Sequence, residues 1–343
     1  MNLVNSRNLW QAQNLPEGLT LRDGIISGNP NVRGTFDVPV TVSNSLGSST
    51  KYIRIKTRYR DDVIILQNGQ EFELITPSEL QKAIQDGTAV NKYNCINTQM
   101  LIPFTHPLTG DIIDNMPLNF CSFRNVTLQD GSVKQALILQ FAKPLWKGFA
   151  PFSTNGFNRW KYSQLRKWLN SSGKNWFSQD YQNDILTPHD ASYSDSGVNG
   201  FLSCLPYSLR NVLLPVKLIT QAFFDDYNDD PAIDDPDYID GHDADITYDM
   251  VFIPSLSEMG ISSTSDSHFP DSSFEGSAWE FYSALNNGYS ISSDINDVPC
   301  FITSRSAYLN GTNKVIYVNS SLEPVVNYAY YSDAAVAPAF AIA

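Results

Sequence analysis

Oxygen donors are densest where Asp225, Asp226, Asp229, Asp230, Asp234 and Asp235 crowd into eleven positions. Hard cations such as Ca²⁺ take carboxylate oxygens, so these six aspartates form a candidate calcium loop. Their spacing departs from the EF-hand pattern, and the same composition fits a solvated acidic insertion over about residues 225–245. No other cofactor is expected. A second concentration of functional side chains lies nearer the C-terminus: Tyr289, Tyr308, Asn310, Asn327, Tyr328, Tyr330 and Tyr331, set among Ser and small residues. Tyr gives rigid amphipathic contact area and Asn adaptable hydrogen bonds, the chemistry of a recognition face. The bland alternative is a set of polar loops capping a sheet.

Acid–base and nucleophilic chemistry is harder to place. His106, His189, His242 and His268 stand in unrelated contexts, outside any HExxH or Gly-x-Ser-x-Gly pattern, and no phosphate-cradling glycine loop occurs. Cys95, Cys121, Cys204 and Cys300 are far apart without a CxxC pair, which argues against zinc or redox motifs and for reduced core residues. Asp and Glu are abundant, but abundance identifies no acid–base pair for glycan hydrolysis. The chain reads as non-enzymatic.

The elements that must position these residues are mainly β with short helices (α+β). Residues 1–60 alternate apolar and polar side chains between Gly and Pro, as in Val38-Pro-Val-Thr-Val42 and Tyr52-Ile-Arg-Ile-Lys-Thr57, the pattern of a small β-sandwich. The charged break Arg58–Asp62 ends it, and residues 61–343 form a second, larger domain. Thr76-Pro-Ser-Glu79 is a capping box that predicts a short helix ending near Gly87, and Ser163 is the expected N-cap of another that stops at Asn170–Gly173. Strands are expected around 99–104, 117–126 and 135–141. Trp160, Trp168 and Phe201 are read as core, and Arg166 as a buried cation needing a carboxylate such as Glu258.

Charge narrows the partners. A formal net charge of -13 repels phosphate backbones, so nucleic acid is not expected. No apolar run approaches the roughly 20 residues of a membrane span, and the polar stretch from Met1 to Gln13 does not read as a secretory signal.

Leu15-Pro-Glu-Gly-Leu19, Gly24-Ile-Ile-Ser-Gly-Asn-Pro30, Gly34-Thr35 and Val40-Thr-Val-Ser-Asn44 resemble the immunoglobulin-like repeats of bacterial and phage surface proteins. This copy is short at its start, so its first strand is expected either to come from a neighbouring chain or to be missing. Downstream, Thr76–Ala89, Trp160–Asn170, Gly200-Phe-Leu202, Asp249–Ser255 with Glu258, Ser304-Arg-Ser306 and Val336–Phe340 together resemble an uncharacterised domain family of phage and gut-bacterial surface proteins. That family is similar to the formylglycine-generating-enzyme branch of the C-type lectin fold. Ala337 stands where relatives often carry an Arg before Pro-Ala-Phe. The enzymes of that branch use a pair of active-site cysteines, for which only Cys204 and Cys300 are at hand here, without the local motif. The resemblance implies a virion surface protein of a bacteriophage (fibre, tail-tip or capsid-surface) that attaches to a host glycan or protein, contacts other virion proteins and works as a homo-oligomer. The alternatives are a purely structural decoration or adaptor protein and an adhesin at the bacterial cell surface.

Overall fold

The computed structural model describes residues 8–28, 30, 32, 34–57, 63–107, 109–145, 158–173, 199–222, 237–239, 242–261, 266–271, 274–284, 301–311, 313–319, 321–329 and 334–343. The chain forms two compact units, Met1–Val63 and Ile64–Ala343, and the fold is mainly β with few short helices and an immunoglobulin-like N-terminal part.

The first unit holds β1 (Leu9–Ala12), β2 (Leu19–Arg22), β3 (Ile25–Gly28), β4 (Gly34–Asn44) and β5 (Gly47–Thr57). A three-stranded sheet runs β1-β4-β5, and β2 and β3 form a separate hairpin. That hairpin turns on Asp23 and Gly24, both at positive φ (48° and 83°), the backbone whose twist matches the flanking strands. β1 pairs antiparallel with β4, Leu9 opposite Ser43 through Ala12 opposite Val40. The first strand is therefore supplied by this chain, correcting the expectation from sequence that a neighbour provides it or that it is missing. Among the described residues of this unit only Pro16 and Val38 are fully buried.

The second unit contains β6 (Ile64–Asn68), β7 (Glu71–Ile75), α1 (Pro77–Gln85), α2 (Thr88–Lys92), β8 (Thr98–Thr105), β9 (Ile112–Thr127), β10 (Val133–Phe141), α3 (Gln164–Leu169) and α4 (Tyr207–Arg210). There follow β11 (Val216–Gln221), β12 (Asp237–Ile239), β13 (His242–Asp249), β14 (Val251–Phe252), α5 (Glu280–Ala284), β15 (Phe301–Ala307), β16 (Lys314–Val318), β17 (Pro324–Tyr328), β18 (Ala334–Ala335) and β19 (Ala339–Ile342). Seven strands make one sheet in the order β14-β19-β10-β9-β8-β6-β7; β11-β13-β12 and β17-β16-β15-β18 are smaller sheets.

Local chemistry explains the helices that sequence could see. Thr76 Oγ1 accepts from the Glu79 amide at 3.1 Å while the Glu79 carboxylate accepts from the Thr76 amide at 2.9 Å, closing a capping box at α1 with Pro77 in its first turn. Leu80 and Ile84 fall on the face that this helix buries. At α3, Ser163 Oγ accepts from the Arg166 amide at 3.0 Å. One apolar cluster joins the sheets and helices, with Trp160, Trp168 and Phe201 all fully buried in it. Among the described residues no helix is long and apolar enough to cross a membrane.

Candidate functional site

Sequence proximity hides the face that forms around Tyr308. β15 ends at Ala307, and the chain turns through Tyr308–Gly311 before β16 begins at Lys314. The turn is fastened from inside by Asn158, whose Nδ2 donates to the carbonyls of Tyr308, Gly311 and Lys314 at 3.2, 2.9 and 2.9 Å. From the other side the Leu309 amide donates to the His268 carbonyl at 2.7 Å. These bonds fix the turn that carries the Tyr308 ring, which is half-buried and packs against the edge of the apolar cluster. Its hydroxyl donates to Asp266 Oδ2 at 3.0 Å, and the other oxygen of Asp266 lies 2.6 Å from His268 Nδ1. The Lys314 ammonium sits 5.7 Å from the Tyr308 ring centroid, at cation–π range, and Phe269 meets the same ring edge-on at 5.6 Å.

Electrostatics follows from these contacts. The hydrogen bond to Asp266 raises the Tyr308 phenol above its ordinary value, and Asn310 pulls the same hydroxyl the other way. Asp266 is held below the usual carboxylate range, chiefly by the backbone amide of His268 and then by the imidazole and the phenol. The Asp266–His268 pair is more than a third exposed on both sides, so water screens it and it adds little stability.

Of the seven aromatic and Asn candidates, Tyr308, Asn310 and Tyr328 share this face. Tyr328 is 43% exposed and is the cross-strand partner of Lys314, which places it beside the cation that covers Tyr308. Asn327 points to the opposite face of β17, because successive strand side chains alternate, and its Oδ1 accepts from the Tyr328 amide at 2.8 Å. Tyr289, Tyr330 and Tyr331 lie outside the described residues, as do Asp225, Asp226, Asp229, Asp230, Asp234 and Asp235 and with them the candidate calcium loop. Among the described residues no three His, Cys, Asp or Glu side chains converge as a metal site. Sequence reasoning set His268 aside as a lone histidine and gave no role to Asp266 or Lys314. Asp266 and His268 lie some forty positions before Tyr308, with α5 and β15 in between, so no local pattern in the sequence marks their link to it.

The remaining buried charges are scaffold. Arg166 donates to Asp249 Oδ1 at 2.7 Å, with Trp160 Nε1 and Thr247 Oγ1 on the second oxygen at 2.8 and 2.9 Å. Arg159 pairs with Asp245. Glu258, the expected partner of Arg166, is instead paired with Arg305, because the 255–258 turn faces β15 and Asp249, at the end of β13, reaches α3 first. Removing one member of such a pair strands a charge without water, at a cost of roughly 3–5 kcal/mol. Cys95, Cys121 and Cys204 are free and buried. Burial pushes the Cys95 and Cys204 thiols up to about 12 and Cys121 well above its ordinary value, so all three are protonated and poor nucleophiles at neutral pH.

Much of this scaffold falls within residues 152–343, which match the family described as Domain of unknown function (DUF6273). The chain belongs to this family. The DUF6273 domain so delimited contains α3, the Asp249 and Arg305 networks and the Tyr308 face, while β6 to β10 precede the matched region. Residues 6–58 match the family described as Putative Ig domain, in agreement with the β1–β5 unit. No curated protein and no solved structure matches the chain.

Proposed function

We propose that this chain is a non-enzymatic surface protein of a bacteriophage virion, a fibre, tail-tip or capsid-surface component, that attaches the particle to a host glycan or protein. The carrying observation is the Tyr308 face: an exposed Tyr328 ring and a half-buried Tyr308 ring with a cation, a carboxylate, an imidazole and an amide gathered around a turn fastened from beneath. Tyr rings stack on the apolar faces of sugars or side chains while the polar groups take hydroxyls and amides. The immunoglobulin-like unit serves as the spacer toward other virion proteins. The large domain is read as C-type-lectin-like, of the formylglycine-generating-enzyme branch, on its sequence resemblance. A non-enzymatic role is supported by the burial of Cys204, one of the two cysteines that thiol chemistry of that branch would need, which disfavours its thiolate. A face of this size gives weak single contacts, so the working form is a homo-oligomer that gains avidity.

The test is binding of labelled full-length protein to a panel of candidate host bacteria. Saturable binding to a subset of strains is expected, with Tyr308→Ala weakening it roughly fivefold or more while leaving the melting temperature within a few degrees. Repeating the binding after chelation asks whether the 225–235 aspartates hold calcium. Absence of binding to every strain, even with the protein clustered, would overturn attachment and leave structural decoration. Binding by a protein that is absent from purified particles would point to a bacterial adhesin.

A further inference from the structure

A solvent-open cavity of about 380 Å³ lies elsewhere in the second unit, between β9, β11 and the 274–279 segment. Its wall mixes polar and apolar groups and includes three aromatic rings, Phe252 and Trp279 buried and Phe274 half-buried. Its volume is that of a small-molecule site. Glu258, Glu275 and Arg305 are the buried polar groups in its lining. Glu258 and Arg305 neutralise each other, and both carboxylate oxygens of Glu275 are taken, one by the Gln221 amide at 2.9 Å and the other by the Ser306 hydroxyl. Arg305 Nε, by contrast, is buried with no partner.

Two further cations line the cavity. Arg124 donates through Nε to Ser122 Oγ at 3.1 Å and through one terminal nitrogen to the Ser277 and Ala278 carbonyls at 3.2 Å each. None of these acceptors carries charge, and Arg124 makes no ion pair among the described residues. Lys217 on β11 is half-buried and makes no ion pair among the described residues. With Glu258 and Arg305 cancelling, Arg124 and Lys217 stand against Glu275 alone. That balance is unusual for its surroundings, since residues 64–343 carry 15 Lys and Arg against 31 Asp and Glu. A concave site with cations at low dielectric focuses negative potential partners into it, and the aromatic wall asks for a ligand with an apolar face.

We propose that this cavity binds a small organic carboxylate, its anionic group held by Lys217 and Arg124 and its ring or chain laid against Trp279 and Phe252. Either an acidic sugar residue or an aromatic acid offers that chemistry. The site is separate from the Tyr308 face, so each reading stands or falls without the other.

The test is isothermal titration of the full-length protein with glucuronate, benzoate and, as the uncharged control, glucose. Binding of at least one acid in the micromolar to low-millimolar range is expected, with glucose much weaker. Lys217→Gln, a partly exposed change that keeps the stem against the wall, weakens the acid about tenfold, the size of one lost charge-assisted hydrogen bond. A thermal melt confirms that the variant is folded, and Arg124→Lys serves as a second, charge-conserving probe that disturbs geometry alone. Preference for glucuronate identifies the acidic sugar as the source, and preference for benzoate the aromatic acid. Glucose binding as tightly as the better of the two acids, no binding of either acid at about 10 mM, or undiminished binding in a folded Lys217→Gln variant would each overturn the proposal.

Discussion

Glu275 shows how one residue's surroundings set a pH response. Its carboxyl is fully buried, and desolvation pushes it up to about 7 against the partial counter-pull of Arg305, Ser306 and the Gln221 amide. The folded state therefore holds a proton that the unfolded chain gives up near 4.5. Between these values the folded state binds more protons, so this group's contribution to stability is fully present below about 4.5 and is lost as pH rises through 7. The full swing is on the order of 3 kcal/mol. Glu275→Gln keeps an acceptor for the Gln221 amide and removes the titration. Urea denaturation at pH 5 and pH 8 should show the difference between wild type and variant shifting in the variant's favour at the higher pH. A constant difference would mean that Glu275 stays ionised throughout. None of this was legible in the sequence, where Glu275 is one acidic residue among many. Its partners Gln221 and Ser306 lie 54 and 31 positions away and meet it only through tertiary packing.

Elements were legible where their signals are local. The α1 capping box and the Ser163 cap of α3 are written within four consecutive residues, and the strands of the first unit announce themselves by alternation between glycines. What local signals could not supply is partner choice. Arg166 was correctly read as a buried cation, yet its carboxylate is Asp249 and not Glu258, because that outcome depends on how β13 and the 255–258 turn pack around α3. The Tyr308 face shows the same limit: composition groups Tyr308, Asn310, Asn327 and Tyr328 together, whereas Tyr308, Asn310 and Tyr328 lie near one another and alternation along β17 turns Asn327 to the other side. The β2–β3 hairpin offers a test at this scale. Gly28 has φ +121°, and a Cβ there would sit 2.2 Å from the carbonyl oxygen of Gly18, in the turn just before the facing strand. Gly28→Ala should cost at least about 2 kcal/mol through backbone strain and a forced shift of β2. Rapid proteolytic cleavage within residues 8–57, with the second unit left intact, is the expected readout.

The whole molecule divides its stability unevenly. The first unit buries only Pro16 and Val38 among its described residues, whereas one large apolar cluster spans the sheets of the second. Hydrophobic stabilisation scales with apolar area removed from water, and small domains remove proportionately less. Calorimetry should therefore resolve two transitions, the smaller and lower-melting one belonging to residues 1–63, and Gly28→Ala should move that transition alone. A single transition that Gly28→Ala shifts as a whole would show the units to be energetically coupled.

The seven-stranded sheet also dictates an order in time. β19 lies between β10 and β14, and its Phe340 pairs with Leu139, a residue 201 positions earlier. Until that strand is made, β10 has an open edge and β14 no partner in the sheet. At a synthesis rate of about 5–20 residues per second, the gap lasts roughly 10–40 s. During that interval the nascent chain exposes Leu137 and Leu139, both fully buried in the finished protein, beside unpaired backbone groups. Such a species is prone to aggregate, and chaperone demand during synthesis, together with slow refolding from denaturant, is built into the placement of one four-residue strand.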